Sequence, residues 1–207
     1  MNNTILMTFN FDFSTNYILE NDTVRLEPLQ ESHFANLFTE SLQNPEIWKY
    51  SSLPTIGAEN FRKYIQLALN NREKLTEYAF VVLDKRTNEY AGSTRFYDMQ
   101  LSNKTLQLGY TWYGKQFQGT GLNKHCKYLL LEFAFEKMNM ERVEFRADNA
   151  NETSKAAMKS IGCKVDGILR SNMTKLDGGR RDSIILSILR SEWFDGVKEN
   201  IRKKLLR

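Results

Sequence analysis

Long apolar runs are missing from this chain of 207 residues, and nothing in it approaches the roughly 20 apolar residues that crossing a bilayer requires. The start, Met1-Asn2-Asn3-Thr4, has no basic segment leading into an apolar one, so no secretory signal is expected. Cysteine is scarce: the two are Cys126 and Cys163, and they form neither a metal-ligand pair nor a CxxC redox pair. Two such thiols fit a reducing compartment, and small buried hydrophobes fit them best, so no metal and a cytoplasmic location are expected. Charge of one sign is also lacking. The 29 basic and 25 acidic residues leave a formal +4, without the concentrated stripe of a nucleic-acid binder. The one dense basic run, Ile201-Arg202-Lys203-Lys204-Leu205-Leu206-Arg207, reads as a solvated helix end. No loop ends in Gly-Lys-Ser/Thr, which makes a P-loop for ATP or GTP a poor reading. Internal repeats, low-complexity segments and long linkers are absent as well.

What is there suits one α/β domain, since apolar residues make up 41% of the chain. Phe9, Phe11 and Phe13 alternate like an added edge strand or a partner-binding arm, in an N-terminal extension over 1–21. Thr23 to Leu29 is a short alternating strand stopped near Pro28. Two helices follow, Glu31 to Gln43 and Ala58 to Asn71, the second with Phe61, Tyr64, Ile65, Ala68 and Leu69 at helical spacing. Tyr78–Leu83, Tyr90–Tyr97 and Leu106–Tyr113 then read as an antiparallel meander. After a glycine-containing loop come a long helix, Leu122 to Lys137, and the strand Val143–Ala147. A helix from Glu152 to Ile161, strands Lys164–Arg170 and Asp182–Leu189, and a helix from Trp193 complete the order, with a basic C-terminal helix over 195–207.

The loop Gln116-Phe117-Gln118-Gly119-Thr120-Gly121 joins a strand to a helix. Such a junction leaves backbone N–H groups without partners, and the helix dipole adds positive potential there. Glycines let the backbone curl against an anion, so the loop is a candidate phosphate cradle; taken alone it is equally a helix-initiating turn. Lys115, Lys124, Lys127 and Lys155 flank it and the next motif, as phosphate partners or as ordinary solvated lysines.

The pattern Q-x-x-G-x-G between strand and helix resembles the acyl-CoA loop of the GNAT N-acetyltransferase superfamily. Asp148-Asn149-Ala150-Asn151-Glu152-Thr153-Ser154, before a helix ending in Ile161-Gly162-Cys163, is similar to the N-x-x-S helix and L-G-F turn of the branch containing the RimJ and RimL ribosomal-protein N-terminal acetyltransferases. Asp166–Arg170, Asp177–Asp182 and Ser187–Trp193 add matches in the same order, so the resemblance covers roughly 22–194. It implies a mixed, mostly antiparallel twisted sheet of about seven strands with helices on both faces. It implies acetyl-CoA as co-substrate, its pyrophosphate on the amides of Gln116, Phe117, Gln118, Gly119, Thr120 and Gly121. The pantetheine arm would lie along Tyr110, Thr111, Trp112 and Tyr113 and be contacted by Asn151, with Ser154 placed to protonate the leaving thiolate. Asn151 is equally placed to be the N-cap of its helix, accepting from the amide of Ser154.

The implied reaction is direct attack of a primary amine on the thioester, with no cysteine nucleophile. The acceptor is a protein N-terminus, or a small amine such as a polyamine or amino sugar. A non-catalytic acyl-CoA-binding module is the alternative from another class, and a homodimer is compatible with all three. Two departures stand out. Met158 occupies the place where some GNAT enzymes carry an acid tyrosine, and Cys163 replaces the phenylalanine of the L-G-F turn. Glu144 and Asp148 are candidates for the general base, while His33 and His125 read as surface or packing residues.

Overall fold

In the computed structural model, residues 10–43 and 45–206 are described. They form one eight-stranded sheet with helices on both faces, in the order β1-β2-β3-β4-β5-β6-β8-β7. The first half runs β1 (Leu19–Glu20), β2 (Val24–Pro28), α1 (Phe34–Gln43), α2 (Ala58–Glu73), β3 (Tyr78–Asp84), β4 (Glu89–Gln100) and β5 (Thr105–Tyr113). The second half runs α3 (Leu122–Glu132), β6 (Arg142–Asp148), α4 (Glu152–Ser160), β7 (Lys164–Thr174), β8 (Arg180–Leu189), the single turn α5 (Arg190–Glu192) and α6 (Lys198–Leu205).

The central strand β3 shows how the layers arise. Its sequence, YAFVVLD, is apolar almost throughout, as a strand covered on both faces must be. Alternate side chains then divide between two cores. Tyr78, Phe80 and Val82 join Leu130, Ala134 and Phe135 beneath the sheet, while Ala79 and Val81 join Phe61, Tyr64 and Ile65 of α2 above it. The stripe expected on α2 is the face it buries. Burying each of those large side chains contributes about 1.5–3 kcal/mol, which fixes which way α2 faces.

The expected mixed, mostly antiparallel sheet of about seven strands stands, and two other expectations are corrected. The sheet has eight strands because Leu19–Glu20 pairs with Arg25 and Leu26; two residues are too short to show a period. Phe11 and Phe13 are not strand residues. Their rings meet edge to face with centroids 4.9 Å apart and both are buried in the lower core, tied down by Arg72, which donates to the Phe13 carbonyl at 2.8 Å. Phe9 lies outside the described residues. The closing helix is broken at Gly196, whose φ of 143° interrupts the turn before α6; Ile201 is nonetheless buried, so the basic segment docks on the domain by its apolar side. The helix after the glycine loop continues as one wider turn over Phe133–Lys137.

Candidate active site

Strands β5 and β6 run parallel but pair only at Thr105–Arg142, Leu106–Val143 and Gln107–Glu144. Both strands continue beyond that point, β5 pairing with β4 as far as Tyr113 and β6 with β8 as far as Asp148. Between them the sheet therefore opens into a gap, and the β6-facing edge of β5 from Leu108 onward is left without a strand partner. The pairing of β4 with β5 passes from Arg95–Gly109 to Ser93–Trp112, so β5 carries one extra residue there. This is a β-bulge. Tyr110 lies in it with φ 49°, a left-handed backbone rare for a side chain of this size. The extra residue reverses the alternation of the strand. Leu108 faces the lower core, Trp112 the upper one, and Tyr113 the lower one again.

At the far end of β5 the chain enters the glycine loop. Phe117 is buried and anchors it, and the Gln118 side chain donates to the Tyr113 carbonyl at 3.0 Å. The amides of Phe117 and Gln118 are consumed inside the loop, on the carbonyls of Gly114 and Lys115. Among the described residues, none accepts from the amides of Gly119, Thr120 or Gly121. Gly119 and Gly121 have φ of 75° and 86°, and a Cβ on either would meet open space, so it is backbone conformation that demands glycine there. Gly121 caps α3 in a left-handed conformation, with the free amides immediately before the helix start. Arg86, held by Asp84 at 2.6 Å, reaches across from the β3–β4 turn and donates to the Thr120 carbonyl at 3.2 Å. The result is a fixed cradle of unpaired donors beside a guanidinium, at the mouth of the gap.

Comparison with known proteins bears on this arrangement. The model of the acetyltransferase (GNAT) domain matches residues 23–164. The chain belongs to the GNAT acetyltransferase family. YdaF of Bacillus subtilis (strain 168), which carries a provisional ribosomal N-acetyltransferase name, is 28% identical over 84% of this chain and 94% of its own. An acetyltransferase structure from T. thermophilus is 32% identical over 93% of this chain and 98% of that one, with TM-score 0.82. A structure titled as RimL, a ribosomal L7/L12 alpha-N-protein acetyltransferase, shares the fold at TM-score 0.75 with 21% identity, over 87% of this chain and 98% of that one. The family match makes the protein a GNAT-type N-acetyltransferase, and the likeness to RimL is one of fold.

In this GNAT enzyme the second motif sits on α4. Asn151 is its N-cap, the Oδ1 accepting from the Ser154 amide at 3.0 Å. Ser154 is half-buried, and its hydroxyl has no hydrogen bond among the described residues. Lys155 donates to the Asn149 carbonyl at 2.7 Å and so stiffens the approach to the helix. Both thiols are buried, and burial pushes each up to about 12. At neutral pH they are inert hydrophobes, not nucleophiles. Neither candidate base is free: Glu144 is paired with Arg142 at 2.9 Å and Arg146 at 2.6 Å, and Asp148 accepts from the Ala150 amide at 2.9 Å with Lys175 at 3.5 Å. His33 is buried, accepting from the Gln30 amide, and burial lowers its pKa. His125 contacts Asn21 at 3.1 Å, again with burial lowering its pKa.

Four residues that sequence reasoning placed elsewhere or passed over stand around β5 and the start of α4. Above the sheet, Tyr97 of β4 lies close over Gly109 and meets the Tyr110 ring edge to face at 5.0 Å. Burial raises the Tyr97 hydroxyl above the usual phenol range, and charges on Glu144 and Arg146 of β6 and Arg181 of β8 also act on it. Tyr110 in turn stacks on the buried Arg95, whose guanidinium lies 4.2 Å from its ring centroid and 4.8 Å from that of Tyr64. Tyr50 spans the same side, donating to the Ala150 carbonyl at 3.2 Å. Below the sheet is Lys127, which is buried and not a surface neighbour of the loop. The signal for it was present: Lys127, Leu130, Leu131 and Ala134 fall at i, i+3, i+4 and i+7, so a lysine heads an otherwise apolar stripe.

Proposed function

We propose that this enzyme uses acetyl-CoA to acetylate a primary amine, with a protein N-terminus as acceptor. The observation that carries the reading is the coincidence of two unfilled features: an open β5 edge beside the β6 strand, and a loop of unpaired amides at its end. An extended, amide-bearing arm with a terminal diphosphate matches both. The amides of Gly119, Thr120 and Gly121 and the first turn of α3 would hold the diphosphate, with Gln116, Phe117 and Gln118 shaping the loop. Tyr110, Thr111, Trp112 and Tyr113 would present the free strand edge to the pantetheine amides, as an added strand does. Asn151, with its Oδ1 engaged in the cap, retains its Nδ2 donors for that arm. The unbonded hydroxyl of Ser154 is the proton donor for the departing thiolate.

The acyl group arrives already activated as a thioester, so the residues need only align and move protons. The amine attacks the thioester carbon, the C–S bond breaks, and one proton passes from the amine to solvent or a base while another reaches sulfur. The acceptor approaches on the side of α1 and α2, where Tyr97, Tyr110 and Tyr50 stand. The protein N-terminus is favoured by the alpha-N-protein title of RimL, and the ribosomal name of YdaF agrees with a protein acceptor.

The test is thermal stabilisation by acetyl-CoA, since a ligand that binds only the native state raises the melting temperature. Wild type is expected to shift and Gly119→Glu to lose the shift. Because φ is positive at Gly119, Gly119→Ala is the control for backbone strain alone, and it should retain part of the shift. No shift in wild type at millimolar acetyl-CoA would sink the reading. Mass spectrometry of products from a panel of N-terminal peptides, polyamines and amino sugars then identifies the acceptor.

A further inference from the structure

The lower side of the β5–β6 gap carries one buried amine. Lys127 rises from α3 and is 6% exposed. Its Nζ donates to Thr111 Oγ1 on β5 at 2.8 Å and stands 5.7 Å from the ring centroid of Phe145 on β6. The amine therefore reaches one bank of the gap and faces the other, beyond the last β5–β6 pair, Gln107–Glu144. Thr111 Oγ1 is itself within 2.7 Å of Thr94 Oγ1, which fixes the hydroxyl that holds the amine. Among the described residues no carboxylate pairs with Lys127. An ammonium carries three N–H donors, and the threonine takes one.

Burying an amine without a counter-charge is costly, and here burial pushes Lys127 down to about 8. The packing around it does not require a charge: Cys126, Leu130 and Phe145 would accept a methionine in its place. The remaining donors gain an acceptor when an oxygen enters the gap.

We propose that Lys127 is a binding residue for the acyl carrier, its ammonium forming the floor of the gap and donating to a carbonyl oxygen of the pantetheine arm or of the thioester it bears. This rests on the reading that the gap holds that arm. It adds a contact from α3 to those expected from the strand edge and from α4. It also makes the floor of the site charged where the surrounding core is apolar.

The test compares Lys127→Met with wild type for three ligands: acetyl-CoA, CoA, and adenosine 3′,5′-bisphosphate, which has no arm. Loss of one charge-assisted hydrogen bond should weaken acetyl-CoA about tenfold or more and leave the bisphosphate within about twofold. CoA weakened equally assigns the contact to an arm amide; CoA unchanged assigns it to the thioester carbonyl. The variant should melt above wild type, because it removes an unpaired buried charge. Acetyl-CoA affinity within about twofold of wild type would overturn the proposal, as would a variant that melts below wild type and loses all three ligands alike. A second measurement needs no variant. The wild-type affinity for acetyl-CoA should fall as pH rises through about 8, where the ammonium loses its proton. The titratable groups acting on it are Cys126 on α3 and Cys163 just before β7, with Tyr113 of β5 beyond Cys126; burial raises all three, the thiols to about 12, so none titrates in that window. A flat profile would overturn the proposal too. Failure of wild type to bind acetyl-CoA at any pH would instead dispose of the acetyl-CoA reading.

Discussion

The two sides of the β5–β6 gap are built from different chemistry. The floor is one lysine, two threonine hydroxyls and an apolar wall of Cys126, Phe145 and Leu130. The roof is aromatic and densely ionic, with Tyr97, Tyr110 and Arg95 above β4 and β5, and Glu144, Arg146 and Arg181 across from them. A partner that is always the same molecule can be met by a buried, fixed donor. A partner that differs from enzyme to enzyme in this family must be met by side chains at a mouth, on segments that vary freely. The floor is thus suited to the carrier and the roof to the acceptor. One inserted residue at Tyr110 makes this division possible, since it turns the second half of β5 over.

Deleting Tyr110 should break the comparison most completely. Without the bulge, Thr111 and Tyr113 exchange faces with Trp112, and an indole is driven into the space beside Lys127. The expected loss is more than about 4 kcal/mol of stability, read by chemical denaturation. Full stability in the deletion would show that the bulge does not set the faces. Ser154→Ala should come next, lowering kcat by roughly a hundredfold with acetyl-CoA affinity intact, which steady-state kinetics resolves. An unchanged kcat removes Ser154 from proton transfer. Tyr97→Phe keeps the ring and removes the hydroxyl at the roof. Its acceptor kcat/KM should fall about tenfold while the acetyl-CoA dissociation constant holds; a change in carrier binding instead would erase the division between roof and floor. The smallest effect concerns the thiols. With both pushed up to about 12, iodoacetamide at pH 8 should label neither in the folded enzyme and both after unfolding, as mass spectrometry would report. Rapid labelling of native Cys126 with loss of turnover would return a thiol to the chemistry.

The layout of the sheet was legible in the chain because β3 is an apolar run bounded by turn residues and α2 carries a consistent helical stripe. The cap of α4 was legible for the same kind of reason, since Asn151 and Ser154 stand at the spacing that an N-cap uses. The gap was legible only through the family resemblance. No residue type marks where two parallel strands stop pairing, and Leu106-Gln107-Leu108-Gly109-Tyr110-Thr111-Trp112-Tyr113 reads as unbroken alternation. The bulge is visible only once the strand has a partner to be counted against. Charge alone does not separate Lys127 from the other lysines near the loop; its helical phase at the head of the apolar stripe does. Tyr97 and Arg95 lie on a strand whose alternation says that they share a face, but not that the face is roofed by α2. Phe11 and Phe13 show the limit of period arguments: two aromatics one residue apart are a strand signal, yet a turn folds both rings into the core.

Three residue pairs join β5 to β6, and every other pairing lies within one half of the sheet or the other. Mechanically this is two plates, β1 to β5 and β6 to β7, sharing a short hinge at one end. A molecule lying in the open part of the gap ties the plates together along their length, as a strut does between two boards. The same molecule that supplies the acyl group would therefore stiffen the enzyme, and amides along the facing edges of β5 and β6 should exchange with solvent more slowly when it is bound.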